Sequence, residues 1–251
     1  MFRAREVEFK YRYLVHVIVF TAGFCLPWNN LWGHGRAWAT LALLPYRQGW
    51  LGMRASMVVF NAVVLALLVA GAWLRTWGTA YIGVDVVNSR AMHGAALAVD
   101  GPYRRVRNPL YLGTWLHVLA LCMLMQPLGA VFVAMASLVM QLRLIGGEEP
   151  FLRGRLGEPY VEYCKRVPRW IPSLTARVPG AGARAEWFRA VGGEIYFLCM
   201  AGCAAVMMAR YGVMLFPEHA NTLALCALGS LGVSLMMDGV MRKSAGSGPA
   251  A

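Results

Sequence analysis

Two adjacent carboxylates, Glu148 and Glu149, close a long apolar run in a chain that has only 12 acidic residues. Carboxylates at a membrane boundary are costly unless they meet cations. The pair is therefore a candidate for holding a cationic ligand or, at Glu148, for general-base work. The plainer account is that both answer Arg143, Arg153 and Arg155 through helix-spaced ion pairs. Gly146-Gly147, just ahead of them, permits a bend or the close approach of a ligand. The second stretch with chemical content is GPYRRVRNPLYLG, residues 101–113. Asn108 reads as a helix N-cap and Pro109 as the first helical residue. Such a start presents free N–H groups and partial positive charge, suited to a carboxylate or phosphate. Arg104, Arg105 and Arg107 add charge there, and Tyr103 and Tyr111 offer aromatic faces to a base or a cation. The same residues would equally make a basic anchor with interfacial tyrosines.

The elements that must position these groups are apolar. Of 251 residues, 59% are hydrophobic and 14% charged, against about 25% charged in an average soluble domain. The expected class is all-α, a polytopic membrane bundle of about six helices with cytoplasmic cofactor-binding loops. The segments are 13–32, 51–74, 110–126, 128–147, 192–213 and 219–240, with 37–44 too short to span and ended by Pro45. No small-residue cleavage site follows the first run, so it reads as an uncleaved helix. Basic residues collect in the N-terminus, in 75–109, in 148–190 and in the tail, which places both termini and those segments on the cytoplasmic side. Pro127 leaves a very short turn between the third and fourth helices. That hairpin brings 75–109 and 148–190 together at the membrane surface. A fourth helix running from Leu128 to Arg155 would be about 42 Å long at 1.5 Å per residue, so its last turns project beyond the bilayer core.

The net charge of +12 does not point to nucleic acid, because the arginines sit in loops between apolar runs. Anionic lipid headgroups are the natural counter-charge. The six cysteines and five histidines show no metal-ligand spacing. His93 lies in the loop ahead of the arginines. His117 lies within the third helix, where a neutral interhelical histidine is the plainer reading.

Taken in order, GPYRRVRNPLYLG, a hydrophobic hairpin and EEPFLRGRLGEPYVEYCKRVPRWIP resemble the isoprenylcysteine carboxyl methyltransferase and phospholipid methyltransferase family. These are integral membrane enzymes that use S-adenosylmethionine. Their pattern runs G-x-Y-x-x-x-R-H-P-x-Y-x-G, a pair of spans, E-E-x-x-L, then F-G-x-x-Y-x-x-Y-x-x-x-V-P. The resemblance covers about a third of the chain, residues 88–172. It implies that Tyr103, Arg107, Asn108, Pro109, Leu110 and Tyr111 border the cofactor. Asn88, Ala95 and Ala98 would add a looser cofactor strand. Glu148 would sit near the reacting end, so that it counts both as cofactor-binding and, with Arg143, as catalytic. One departure stands out: the family has histidine where this chain has Asn108, and an amide cannot titrate.

The resemblance implies three units: N-terminal membrane helices in 1–74, a methyltransferase core in 75–175, and a linker with a C-terminal hairpin in 176–251. It also implies a lipophilic or membrane-delivered methyl acceptor. A prenylated cysteine, a phospholipid amine, a small thiol or another isoprenoid would all fit. Two other readings stand beside it, an NADPH-dependent sterol-reductase-like enzyme and a non-enzymatic scaffold or transporter. The E-E-x-x-L element speaks against the first, and the scarcity of mid-membrane charge against the second. The last helix pair, with small residues at Ala224, Gly229 and Gly232, suits either a lipid entrance or a homo-oligomer contact.

Overall fold

In the computed structural model, residues 6–25, 37–89, 97–211 and parts of 222–236 are described. Among them every regular element is a helix and there is no strand. The order is α1 (Glu6–Lys10), α2 (Arg12–Cys25), α3 (Ala37–Ala42), α4 (Leu44–Arg47), α5 (Met53–Ile82) and α6 (Val84–Asn88). A single 3-10 turn (Gly101–Arg104) follows, then α7 (Pro109–Cys122), α8 (Pro127–Leu156), α9 (Glu158–Arg166), α10 (Trp187–Gly193) and α11 (Ile195–Tyr211).

Two of these helices, α5 and α8, are long and apolar enough to cross a membrane, each with 30 residues. At 1.5 Å per residue each is about 45 Å long. The pair α10 and α11 qualifies as a third span if its 75° bend lies within one crossing. α2 and α7 are shorter apolar helices. The expected sixth span, 219–240, lies largely outside the described residues. Large apolar side chains point outward along the long helices, Val59 and Val63 on α5, Val131 and Met135 on α8. A soluble surface rarely carries so continuous an apolar face.

α5 is the central element, with α7 along one side and α10, α11 and α3 around it. The closest approach is at Gly71 and Gly113: a Cβ on Gly71 would lie 2.7 Å from the Gly113 carbonyl oxygen. Small residues of this kind let apolar helices meet backbone to backbone where no hydrophobic force drives them together. Ala72, Leu68, Ala120, Ala204 and Met207 fill the space between α5, α7 and α11. α8 folds back on α7 through the turn at 123–126, α2 packs on α8, and α9 packs on the far end of α8.

Three expectations are corrected. The second helix does not stop at residue 74 but runs to Ile82, so Arg75 is a helical residue and the 74/75 boundary falls inside α5. Its guanidinium tolerates that place because an acid meets it, as described below. Pro45 does not end the short interfacial stretch; the helix breaks at Leu43, and the proline occupies the first turn of α4, where its missing N–H costs nothing. The fifth segment is broken at Glu194 between Gly193 and Ile195, which frees this acid to turn into the bundle.

Candidate active site

The hairpin of α7 and α8 sets Tyr111, one turn into α7, against Glu148 near the end of α8. The phenol donates a 3.0 Å hydrogen bond to Glu148 Oε2. Glu149 faces elsewhere because neighbouring helical residues differ by about 100° around the axis. It is buried and accepts from Arg169 Nε at 3.0 Å and from Arg169 Nη2, with Arg107 Nε at 3.7 Å. The two carboxylates thus part company. Glu149 is a structural acid neutralised by arginines, though not by the helix-spaced Arg153 or Arg155. Glu148 has no ion-pair partner among the described residues. Arg143, the other expected catalytic residue, pairs with Glu8 of α1 at 2.6 Å.

Pro109 is the first residue of α7 and Asn108 stands at its N-cap. The Asn108 side chain does not cap the helix. Its Nδ2 donates instead to the Arg169 carbonyl at 3.2 Å. The orphan N–H groups that any helix start carries therefore belong to Leu110 and Tyr111, with no side-chain cap upon them.

The basic stretch before α7 is laced antiparallel to residues 168–183. Arg107 N–H donates to Pro168 O, Ser173 N–H to Arg105 O and Arg177 N–H to Arg104 O, at 2.8–2.9 Å. The guanidiniums of Arg104 and Arg105 donate to the carbonyls of Val178 and Leu174. At the head of the stretch, the Asp100 carboxylate accepts the N–H groups of Ala181, Gly182 and Ala183. So the arginines expected to serve as a charged anchor spend much of their hydrogen bonding on a covering strap. α9 pins the same stretch from the other side, the Tyr163 hydroxyl donating to the Tyr103 carbonyl at 2.9 Å. Tyr160, Tyr163 and Val167 form a small core with Leu97, Val99 and Val178. Burial holds the Tyr160 and Tyr163 hydroxyls above their ordinary pKa.

Tyr103 is buried, and its hydroxyl has no hydrogen-bond partner among the described residues. Burial raises its pKa well above the usual value, and Tyr163 and Glu148 push in the same direction. Arg107 Nε and Trp170 Nε1 are likewise buried without a hydrogen-bond partner. Ala98 lies between Leu97 and Val99 in a segment without regular secondary structure. Asn88 is the exposed last residue of α6, whose end is held by Arg12 through the carbonyls of Val87 and Ser89. Ala95 and His93 lie outside the described residues.

The structure adds one cluster that the sequence reading missed. Arg75 of α5 makes a two-pronged contact with Glu194, Nε to Oε2 at 2.6 Å and Nη2 to Oε1 at 2.9 Å. Thr79 donates to Glu194 Oε1, and Arg75 Nη1 donates to Thr114 of α7. The guanidinium lies 4.3 Å from the Phe197 ring centroid, and Glu194 is 1% exposed. Next to it His117 Nε2 lies 3.3 Å from the Tyr196 hydroxyl. The signal was present: Glu194 and Arg75 are ionisable residues in apolar runs, and such residues demand partners. What the sequence did not show is that each was the other's.

The comparisons with known proteins bear on this geometry. The phospholipid methyltransferase family matches residues 59–158, which include Tyr103, Tyr111 and both glutamates but neither the strap nor α10 and α11. The chain is also similar to protein-S-isoprenylcysteine O-methyltransferase of Schizosaccharomyces pombe, 31% identical over 122 residues, 46% of this chain and 51% of the relative. It thus spans about half the length of that relative. No solved structure matches it. The segment 59–158, which builds the Tyr111–Glu148 hairpin, is thus similar to the phospholipid methyltransferase family, and the isoprenylcysteine relative points the same way.

Proposed function

We propose that the protein is an integral membrane methyltransferase that uses S-adenosylmethionine and passes the methyl group to a lipophilic acceptor drawn from the bilayer. The observation that carries this reading is the Tyr111–Glu148 contact across the hairpin, directly beside an uncapped helix start. The residues present fit the cofactor. The free N–H groups of Leu110 and Tyr111 suit its carboxylate, and the Tyr103 hydroxyl and Arg107 Nε, each without a hydrogen bond among the described residues, supply further polar contacts, the latter beside its ion pair with Glu149. Glu148, with no ion-pair partner among the described residues, suits a cationic group.

When bound, S-adenosylmethionine supplies an electrophilic methyl group on a sulfonium, which leaves as the neutral thioether. The protein's part is chiefly positioning, since in-line displacement gains most from alignment. Glu148, held by Tyr111, takes the proton if the acceptor is an amine; a carboxylate or thiolate acceptor releases none. The strap 168–183 covers the stretch that borders the cofactor and keeps water from it. In this reading the bundle has six spans, with both termini and the site on the cytoplasmic side. Residues 75–175 hold the methyltransferase core, and Arg143, Asn88, Ala95 and Ala98 have secondary roles around it.

The test is thermal unfolding of the detergent-purified protein with S-adenosylmethionine, its demethylated product and NADPH. A ligand of the native state raises the melting temperature by mass action. Stabilisation by both adenosyl compounds is expected. Stabilisation by NADPH alone would overturn the reading.

A further inference from the structure

Gln141 lies on α8, 1% exposed, and neither its carboxamide oxygen nor its nitrogen has a hydrogen-bond partner among the described residues. Ser137, one turn earlier, is equally buried with an unpartnered hydroxyl. Buried polar side chains are normally paired, and bilayer hydrocarbon offers no water in compensation. Their position on the helix gives the pair its interest. Seven residues separate Gln141 from Glu148, so the two differ by only about 20° around the axis. They are separated by about 10 Å along it. Ser137, Gln141 and Glu148 therefore form one polar stripe along the helix, with Leu144 and Ile145 buried between the lower pair and the carboxylate.

From this stripe we propose that Gln141 is a specificity-determining contact: its carboxamide hydrogen-bonds an acyl carbonyl of a lipid acceptor whose reacting group lies at Glu148. The inference rests on the methyltransferase reading for what happens at Glu148, and adds what is read two helical turns deeper. An acyl-linked lipid carries a carbonyl at about that remove from its polar head, and the carbonyl accepts from Gln141 Nε2. If the link is an amide, its N–H also satisfies Gln141 Oε1. A thioether-linked prenyl chain offers hydrocarbon at this depth and leaves both Gln141 atoms unpaired. The carboxamide thus favours acyl-linked over prenyl-linked acceptors, a distinction that Glu148 and Tyr111 do not make.

The experiment compares wild type with Gln141→Leu, and uses Gln141→Met as a second variant of similar volume should the first fail to insert. Three short-chain probes that share an ethanolamine headgroup are added in detergent without a methyl donor: a diester lipid, its diether analogue and an amide-linked analogue. Thermal shift reads binding. In wild type the diester or the amide lipid should stabilise more than the diether, which identifies the carbonyl source. In the variant the three should become equal, and the acceptor KM should rise roughly tenfold at nearly constant kcat, as for a lost neutral hydrogen bond. Equal response of wild type to all three probes would overturn the inference. So would a variant that merely melts at a higher temperature and still discriminates, because that is the result of removing a purely structural unpaired amide. S-adenosylmethionine is titrated in parallel. If it fails to bind wild type while lipid discrimination persists, the methyltransferase reading falls and the acyl contact stands.

Discussion

Tyr111 and Glu148 are 37 positions apart in the chain, yet the tyrosine hydroxyl donates a 3.0 Å hydrogen bond to the glutamate carboxylate. The hairpin of α7 and α8 makes this possible. α7 has 14 residues and α8 has 30, so α8 overtops its partner and brings its last turns down beside the start of α7. One carboxylate of the Glu-Glu pair is thereby delivered to the helix start, and the other is left to Arg169 of the strap and to Arg107.

Removing the phenol should loosen Glu148 without unfolding the hairpin. A hydrogen bond to a charged group contributes about 1.5–3 kcal/mol. Tyr111→Phe is expected to lower kcat/KM roughly ten- to hundredfold and to reduce the thermal shift given by S-adenosylmethionine. Circular dichroism should show unchanged helix content. A variant with wild-type kinetics would show that the contact plays no part in catalysis.

The Arg75–Glu194 pair should behave as a buried ion pair. Breaking one side leaves an uncompensated charge and costs about 3–5 kcal/mol, so Glu194→Ala and Arg75→Ala should each melt markedly lower or fail to accumulate. Replacing both with apolar residues, as in Arg75→Met with Glu194→Leu, should recover much of the loss. Thermal unfolding of the two singles and the double completes the cycle.

The strap gives a contrast between two glycines. Gly101 has φ +57°, and a Cβ on it would lie 2.3 Å from the Tyr81 ring. Gly101→Ala should therefore destabilise the laced stretch and expose residues 168–183 to limited proteolysis. Gly154, in the last turns of α8, has nothing within 4 Å of its would-be Cβ. Gly154→Ala should be neutral or stabilising by up to about 1 kcal/mol, with the same proteolytic pattern as wild type.

Asn108→Ala removes the hydrogen bond to the Arg169 carbonyl while leaving Pro109 to start the helix. The expected cost is about 1 kcal/mol, read as faster cleavage between 168 and 178 with the α7–α8 hairpin intact. Unchanged cleavage would mean that the other lacing bonds hold the strap alone.

The buried tyrosines set an alkaline limit. Tyr103, Tyr160 and Tyr163 have pKa values raised by burial, so the folded state keeps protons that an unfolded tyrosine releases near about pH 10. Their contribution is fully present below that pH and is lost as the pH rises toward their folded pKa values. Stability should fall above pH 10, and phenolate absorbance from this cluster should appear together with unfolding. Tyr163→Phe keeps the ring but removes the bond to the Tyr103 carbonyl, and should shift the transition to lower pH.

The sequence by itself determined the apolar membrane composition, the apolar hairpin and the proline-started helix. Composition, helical spacing and proline geometry are local properties, and the order of the motifs already brings 101–113 to the Glu-Glu segment. Tertiary structure alone decided which partner each charge takes. Glu149 lies beside Glu148 in sequence, but a 100° step around the helix turns it to Arg107 and Arg169. Arg104 and Arg105 resemble anchor charges, but the strap's carbonyls take up their N–H groups. Arg75 and Glu194, 119 positions apart, could not be matched by spacing at all. In a low-dielectric bundle a buried charge calls for polar partners, and which partners it finds follows helix packing rather than distance along the chain.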